Sequence, residues 1–211
     1  MDGIAGEKDD YQALRWFRLA GAQGHVKSQY RVGYALAHGA GCEIDLQQAA
    51  TWLRKAAVNG DPKGQYEFGL LFIHPDYPKR NEEEAFRWIR LSAIAGFAPA
   101  QYQLALFYQA GEGTLASYEE AFTWARRAAA QGEEKALLLL ASLYRFGAGT
   151  AANITAAYAI ASYLSGTENP NAAALLQTLE PQIAAGDRAR VQKMLSSTKS
   201  ALELIENIST L

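Results

Sequence analysis

Cysteine, methionine and histidine are nearly missing from this 211-residue chain, which holds one, two and three of them. The single cysteine, Cys42, rules out an internal disulfide and a Cys-based zinc site. In an Ala-rich sequence it reads as a small packing residue. The histidines are His25, His38 and His74, and the last two occupy equivalent places 36 residues apart. Two histidines without a third ligand do not make a zinc site, so neither a metal nor a cofactor is expected. An excess of one charge is also lacking: the formal net charge is −2 and no block of Lys or Arg stands out. Nucleic acid is therefore not an expected partner. No run of about 18 apolar residues is present, so no membrane span is expected. No signal peptide is visible at the start of the sequence.

What the chain does have is repetition. Trp16, Trp52, Trp88 and Trp124 are its only tryptophans, and each follows the last by 36 residues. Gly24, Gly60, Gly96 and Gly132 keep the same step, as do Arg18, Arg54, Arg90 and Arg126. A constant period of this length marks a stack of repeated supersecondary units. It predicts one continuous array over residues 1–211, since each unit packs only on its neighbours. The units run at about 3–24 (partial), 25–60, 61–96, 97–132 and 133–168 (degenerate), and 169–211 supplies C-terminal capping helices. Gly3 and Ala13 lie one period before Gly39 and Ala49, so the chain opens in the middle of a unit. The first helix of that unit is expected ahead of it, either trimmed away or replaced by a signal peptide that once preceded Asp2.

Each unit reads as two helices, so the fold class is all-α. In residues 61–96 the first (A) helix holds Gln65 to Gly69 and is expected to end near His74. The second (B) helix holds Glu84 to Trp88 and ends at Gly96, a residue suited to the left-handed position past a helix C-terminus. Pro62 and Pro99 fall at A-helix starts, where a missing N–H costs little. Small residues hold two columns: Ala13, Ala49, Ala85, Ala121 and Ala157, and Ala20, Ala56, Ser92 and Ala128. The tryptophans follow the first column by three residues and are expected to be core between successive helices. After residue 150 the period fades: Ile160 stands in the tryptophan column. The tail reads as a helix over 171–179, Pro181, and a helix over 187–200 with Asp187 as N-cap. A last amphipathic turn carries Leu202, Ile205 and Ile208.

The A–B loops carry Gly39-Ala40-Gly41, Gly111-Glu112-Gly113 and Gly147-Ala148-Gly149. With no strand before them and no Lys-Ser/Thr after, they are turns rather than phosphate cradles. The loop of the 61–96 unit breaks the pattern with His74-Pro75-Asp76-Tyr77-Pro78-Lys79-Arg80-Asn81 at unchanged length. Two readings stay open: a stiff aromatic surface loop used for recognition, or drift of the repeat. Glu82, Glu83 and Glu84 sit where acidic residues favour a helix N-terminus, and no nucleophile motif is present. No catalytic residue is predicted.

These features resemble the Sel1-like repeat, a relative of the tetratricopeptide repeat. The family order, roughly Ala-x-x-x-Leu-Gly-x-x-Tyr, Gly-x-Gly, Asp/Glu, Ala-x-x-Trp and Ala-Ala-x-x-Gly, is met by Gln29-Tyr30-Arg31-Val32-Gly33, Gly39-Ala40-Gly41, Asp45, Ala49, Trp52 and Ala56-Ala57-Val58-Asn59-Gly60. It is met again from Ala100-Gln101-Tyr102 to Gly132. Leu36 and Phe72 depart from it at the usual Tyr. The resemblance implies an αα-superhelix that binds other proteins, with A helices lining its concave side. Members act as adaptors in signalling, secretion and the cell envelope, and some bacterial ones are immunity proteins against type VI secretion phospholipases. The opening residues are similar to those of exported members after signal cleavage, which favours the periplasm over the cytoplasm.

On that reading the A-helix positions that vary between units are the partner-binding candidates. They are Lys27, Arg31, Tyr34 and His38 in one unit, Lys63, Glu67, Leu70 and His74 in the next, and Gln103 and Leu106 after that. The spacing i, i+4, i+7, i+11 keeps each set on one face. Tyr77 and Arg80 of the irregular loop complete the set. The expected role is a non-catalytic protein-binding module, an envelope adaptor or inhibitor. The alternatives are an immunity protein against a type VI secretion phospholipase, or an enzyme acting on a cell-wall substrate or small ligand, which would need His38, His74 and a carboxylate in one pocket.

Overall fold

The computed structural model describes residues 5–167, 169–209 and 211, with side chains from residue 10 onward. Gly3 and the other opening residues before Ala5 lie outside that description. The described residues form twelve α-helices and no strand. The B helices are α1 (Ala5–Ala22), α3 (Leu46–Val58), α5 (Glu82–Ile94), α7 (Tyr118–Ala130) and α9 (Ile154–Ser165). Between them lie the A helices α2 (Val26–His38), α4 (Pro62–Leu71), α6 (Ala98–Ala110) and α8 (Glu134–Phe146). The tail adds α10 (Pro170–Leu179), a short 3-10 turn, α11 (Ala185–Ser197) and α12 (Ala201–Ile208). The fold class is an αα-solenoid of helix-turn-helix repeats.

Periodic residues explain why the helices start and stop where they do. Asp45, Asn81, Ser117 and Asn153 stand one period apart, and each side chain accepts the backbone N–H three residues on, at 2.8, 3.0, 3.2 and 2.9 Å. These N-caps satisfy donors that a helix start leaves without partners. The closing glycines Gly24, Gly60, Gly96 and Gly132 take φ of 92°, 81°, 91° and 85°. The Gln column has a task as well: Gln29 donates to the Gly21 carbonyl and Gln65 to the Ala57 carbonyl, each at 3.2 Å. Each bond ties an A helix to the last turn of the preceding B helix.

The chain forms two compact units. The first comprises Met1–Ala100 with Glu112–Thr114. In it each helix from α1 to α5 packs on the next. Ala49, Leu53, Ala56, Ala85 and Ile89 are fully buried. Gly33 and Gly69 let the helices close up, for a Cβ at Gly33 would lie 2.5 Å from Leu53 Cγ, and one at Gly69 2.7 Å from Ile89 Cγ1. Ser92 interrupts the Ala column but is fully buried, and its hydroxyl donates to the Pro62 carbonyl at 2.6 Å. Cys42 is half-buried beside this core, its thiol 3.5 Å from the Ala35 carbonyl.

The second unit comprises Gln101–Gly111 and Leu115–Leu211. Here α8 packs on α7 and α9, and α10, α11 and α12 all cover α9. That cover explains the loss of tryptophan: Ile160 is fully buried in a core with Leu140, Leu164, Leu204 and Ile208. The expectations for the tail are corrected at four points. The helix over 187–200 begins earlier, at Ala185 behind Ala184, and ends at Ser197, so Asp187 is a first-turn residue rather than the cap. There its carboxylate meets Arg190 at 3.5 Å and still faces the positive end of the helix dipole. In α12 the buried stripe is Ala201, Leu204, Ile205 and Ile208, and Leu202 is exposed. That stripe docks on α7 and α9, and Arg126 of α7 donates to the Ser209 hydroxyl at 3.0 Å.

The tryptophans are not uniformly core, contrary to expectation. Trp124 is 8% exposed and Trp16 68%, with Trp52 and Trp88 half-buried. The ring of Trp52 lies against Gly21 of α1, where an added Cβ would come within 3.1 Å of it. Among the described residues no helix lies against Trp16 in that way. Trp88 packs edge-on against Phe68 at 5.2 Å. Its indole N–H donates to Glu84 at 3.2 Å, as that of Trp124 does to Glu120.

Candidate functional site

Pro75 decides where α4 stops. The residue before a proline disfavours the helical region, and proline itself has no N–H to continue the ladder. Accordingly the chain tightens over three successive i→i+3 bonds, Phe72 to Gly69, Ile73 to Leu70 and His74 to Leu71, at 3.0–3.1 Å. α4 therefore ends at Leu71, and His74 lies in the following turn rather than on the A helix. Its Nδ1 accepts the Asp76 N–H at 3.2 Å.

The remaining candidates on α2 and α4 come together on one face. Lys27, Arg31, Tyr34 and His38 are all exposed along α2. On α4 Lys63 is exposed while Glu67 and Leu70 are half-buried. The Tyr34 and His38 rings meet at a tilt with centroids 4.3 Å apart, and Tyr30 extends the row at 5.9 Å from Tyr34. His38 Nε2 then meets Glu67 Oε2 at 3.1 Å, linking the two helices. The Arg31 guanidinium lies 5.9 Å from the Tyr30 ring centre. Burial first, and the Glu67 carboxylate next, push the Tyr30 phenol above its ordinary value. Tyr30 therefore stays a neutral donor over the physiological range.

A cleft of about 540 Å³ opens at the start of this face. Its walls are Lys27, Tyr30 and Arg31 of α2, Asp61 and Lys63 at the start of α4, and Phe97 of the α5–α6 turn. Tyr66 braces Phe97 edge-on at 5.4 Å. Neither Tyr30 nor Phe97 was a candidate from sequence: Tyr30 belongs to the periodic Gln-Tyr pair, and Phe97 follows a closing glycine.

The other candidates separate. Gln103 and Leu106 are half-buried on α6, in the second unit. Arg80 is exposed in the irregular loop. Tyr77, expected on the surface of that loop, is instead 6% exposed and joins the core, edge-on to Phe72 at 5.8 Å. It turns inward onto Phe72, the residue that caps the shortened α4. The set an enzyme would need is not assembled, since His38 faces Glu67 and His74 faces its own loop. Among the described residues no group of three His, Cys, Asp or Glu side chains stands close enough to hold a metal ion. No helix among them is long and apolar enough to cross a membrane.

The family described as Sel1 repeat matches residues 1–25, 26–61, 62–97, 98–133 and 134–162. Two solved bacterial structures are similar. One is a protective antigen of uropathogenic Escherichia coli strains displaying an SLR fold, 25% identical with a TM-score of 0.82 over 94% of this chain and 43% of that one. The chain thus spans less than half the length of that antigen. The other is a Sel1 repeat protein from Oxalobacter formigenes, 27% identical with a TM-score of 0.71 over 81% of this chain and 72% of that one. No curated protein matches the chain.

Proposed function

The chain belongs to the Sel1 repeat family, whose repeats serve protein–protein interaction, and from that premise we propose that the α2–α4 face captures a partner protein without catalysis. One observation carries the reading. Tyr34, an exposed aromatic, lies in tilted contact with the His38 ring, and His38 is fixed to Glu67 on the next helix. An aromatic immobilised before binding loses little entropy when a partner covers it, and aromatic and Arg side chains dominate binding hot spots. The basic flank of Lys27, Arg31 and Lys63 favours a partner whose matching surface is acidic. The proposed role is an adaptor or inhibitor in the bacterial envelope, in keeping with the bacterial source of both similar structures.

Photo-crosslinking in the source cell tests this. A photoreactive residue at position 34 or 70 is expected to give a discrete protein adduct, weakened by Arg31→Glu. The same residue at exposed position 90 of α5 is expected to give none. Equal adducts at 34 and 90, or no adduct at 34, would overturn the assignment. An adduct with a phospholipase would specify an inhibitor, and one with an envelope protein an adaptor.

A further inference from the structure

In all three glycine loops the second glycine lies against the B helix of the preceding unit, Gly41 on α1, Gly113 on α5 and Gly149 on α7. A Cβ at Gly41 would lie 2.6 Å from the Asp10 carbonyl carbon of α1, and one at Gly113 2.6 Å from that of Glu82 of α5. Real side chains do not fit at such distances, so only glycine lets these loops close on the B helix. Tyr77 holds the same column, one period after Gly41 and one before Gly113. The equivalent closure onto the start of α3 is therefore barred. The loop after α4 leaves α3, Tyr77 turns to the core, and a cleft of about 660 Å³ remains.

One wall of this cleft is a continuous face of α3 from Gln47 to Asn59. At 1.5 Å per residue that face runs for about 18 Å, room for about five extended residues. Ala50, Val58 and Pro78 supply apolar surface over the buried edges of Phe68 and Tyr77, and Arg54, Lys55 and Lys79 supply charge. Among the described residues no carboxylate lines it. All three cations are exposed, and none is ion-paired among the described residues. Lys55 is held in place, its ammonium 4.4 Å from the centre of the Trp52 ring. Three unpaired cations around an apolar floor match a ligand that brings carboxylates and a hydrophobic group together. A nucleic acid would instead call for a longer basic stripe.

We propose that the cleft between α3 and the 72–81 loop is a second binding site, for a short acidic peptide segment with an apolar anchor. It shares none of Tyr34, His38 or Glu67 with the α2–α4 face, so either site can fail alone. The test is selection of displayed random short peptides on the full chain. Peptides enriched in Asp or Glu beside aromatic or aliphatic residues are expected. Their binding should weaken roughly tenfold in Arg54→Glu or Lys79→Glu, less in Arg54→Gln, and not at all in Tyr34→Ala. Both cations are exposed, so these variants should keep the helical circular dichroism of the parent chain. Three outcomes overturn the proposal: no selected peptide, selected peptides without acidic residues, or equal binding to the charge-reversed variants. Loss of heparin or anionic-vesicle binding in those variants, with no peptide selected, would assign the cleft to a polyanion instead.

Discussion

His38 Nε2 and Glu67 Oε2 lie 3.1 Å apart and join α2 to α4 across 29 residues of sequence. The Glu67 side chain is only 13% exposed and that of His38 48%. A pair at this depth is worth more for orientation than for stability. A double-mutant cycle with His38→Ala and Glu67→Gln should give a coupling of about 0.2–1 kcal/mol. Urea unfolding of the four proteins measures it, and zero coupling would mean that the pair does not hold the ring in place.

The tryptophans give a graded series. Trp124→Ala should cost about 3–5 kcal/mol, as for a buried large-to-small change. Trp16→Ala should stay within about 0.5 kcal/mol of the parent, with Trp52→Ala and Trp88→Ala between. Denaturant midpoints rank them. Fluorescence gives an independent check, since loss of Trp16 should shift the mean emission to the blue and loss of Trp124 to the red.

The loop and closing glycines should differ in sensitivity. Gly60 has φ 81° and open space around it, so Gly60→Ala should cost about 1–2 kcal/mol for the left-handed backbone alone. Gly113 adds a backbone wall at the start of α5, and Gly113→Ala should lose about 1–3 kcal/mol more for overpacking. Equal losses would show that the loop yields freely.

Alkaline pH should unfold the protein through its phenols. Burial raises Tyr30, Tyr77, Tyr102 and Tyr144 above the ordinary value of 10.0. Because the folded values exceed the unfolded ones, this stabilisation is complete below pH 10 and is lost as pH rises past it. Absorbance titration should show these four ionising late and together with loss of helix. Independent ionisation of all eleven tyrosines near the ordinary value would contradict it.

Much of this architecture was legible in the sequence because its units repeat. Ala49, Ala85, Ala121 and Ala157 are all fully buried, as a column of close contacts requires. The glycines at 24, 60, 96 and 132 all take the left-handed backbone. Periodicity fixes which residues are equivalent, yet equivalence holds only where the neighbours are equivalent too. Trp16 is exposed where Trp124 is buried, and Ile160 is covered by the tail instead of another repeat. The candidate site was half legible. Spacing put Arg31, Tyr34 and His38 on one face, but the pairing of His38 with Glu67 depends on how two helices lie together. Tyr77 and His74 were misplaced because Pro75 shortens α4 and lengthens the loop after it at constant repeat length, which residue spacing does not register.

Tyr77 also bears on how an array of this kind can diversify. Exchanging one glycine column for a bulky residue opens a lateral cleft while the count of residues per turn of the stack is untouched. Trp88 and everything after it keep their register, so the new surface arises without disturbing the units on either side. Functional variety can then be written into single interior positions of a repeat, leaving its length as a fixed frame.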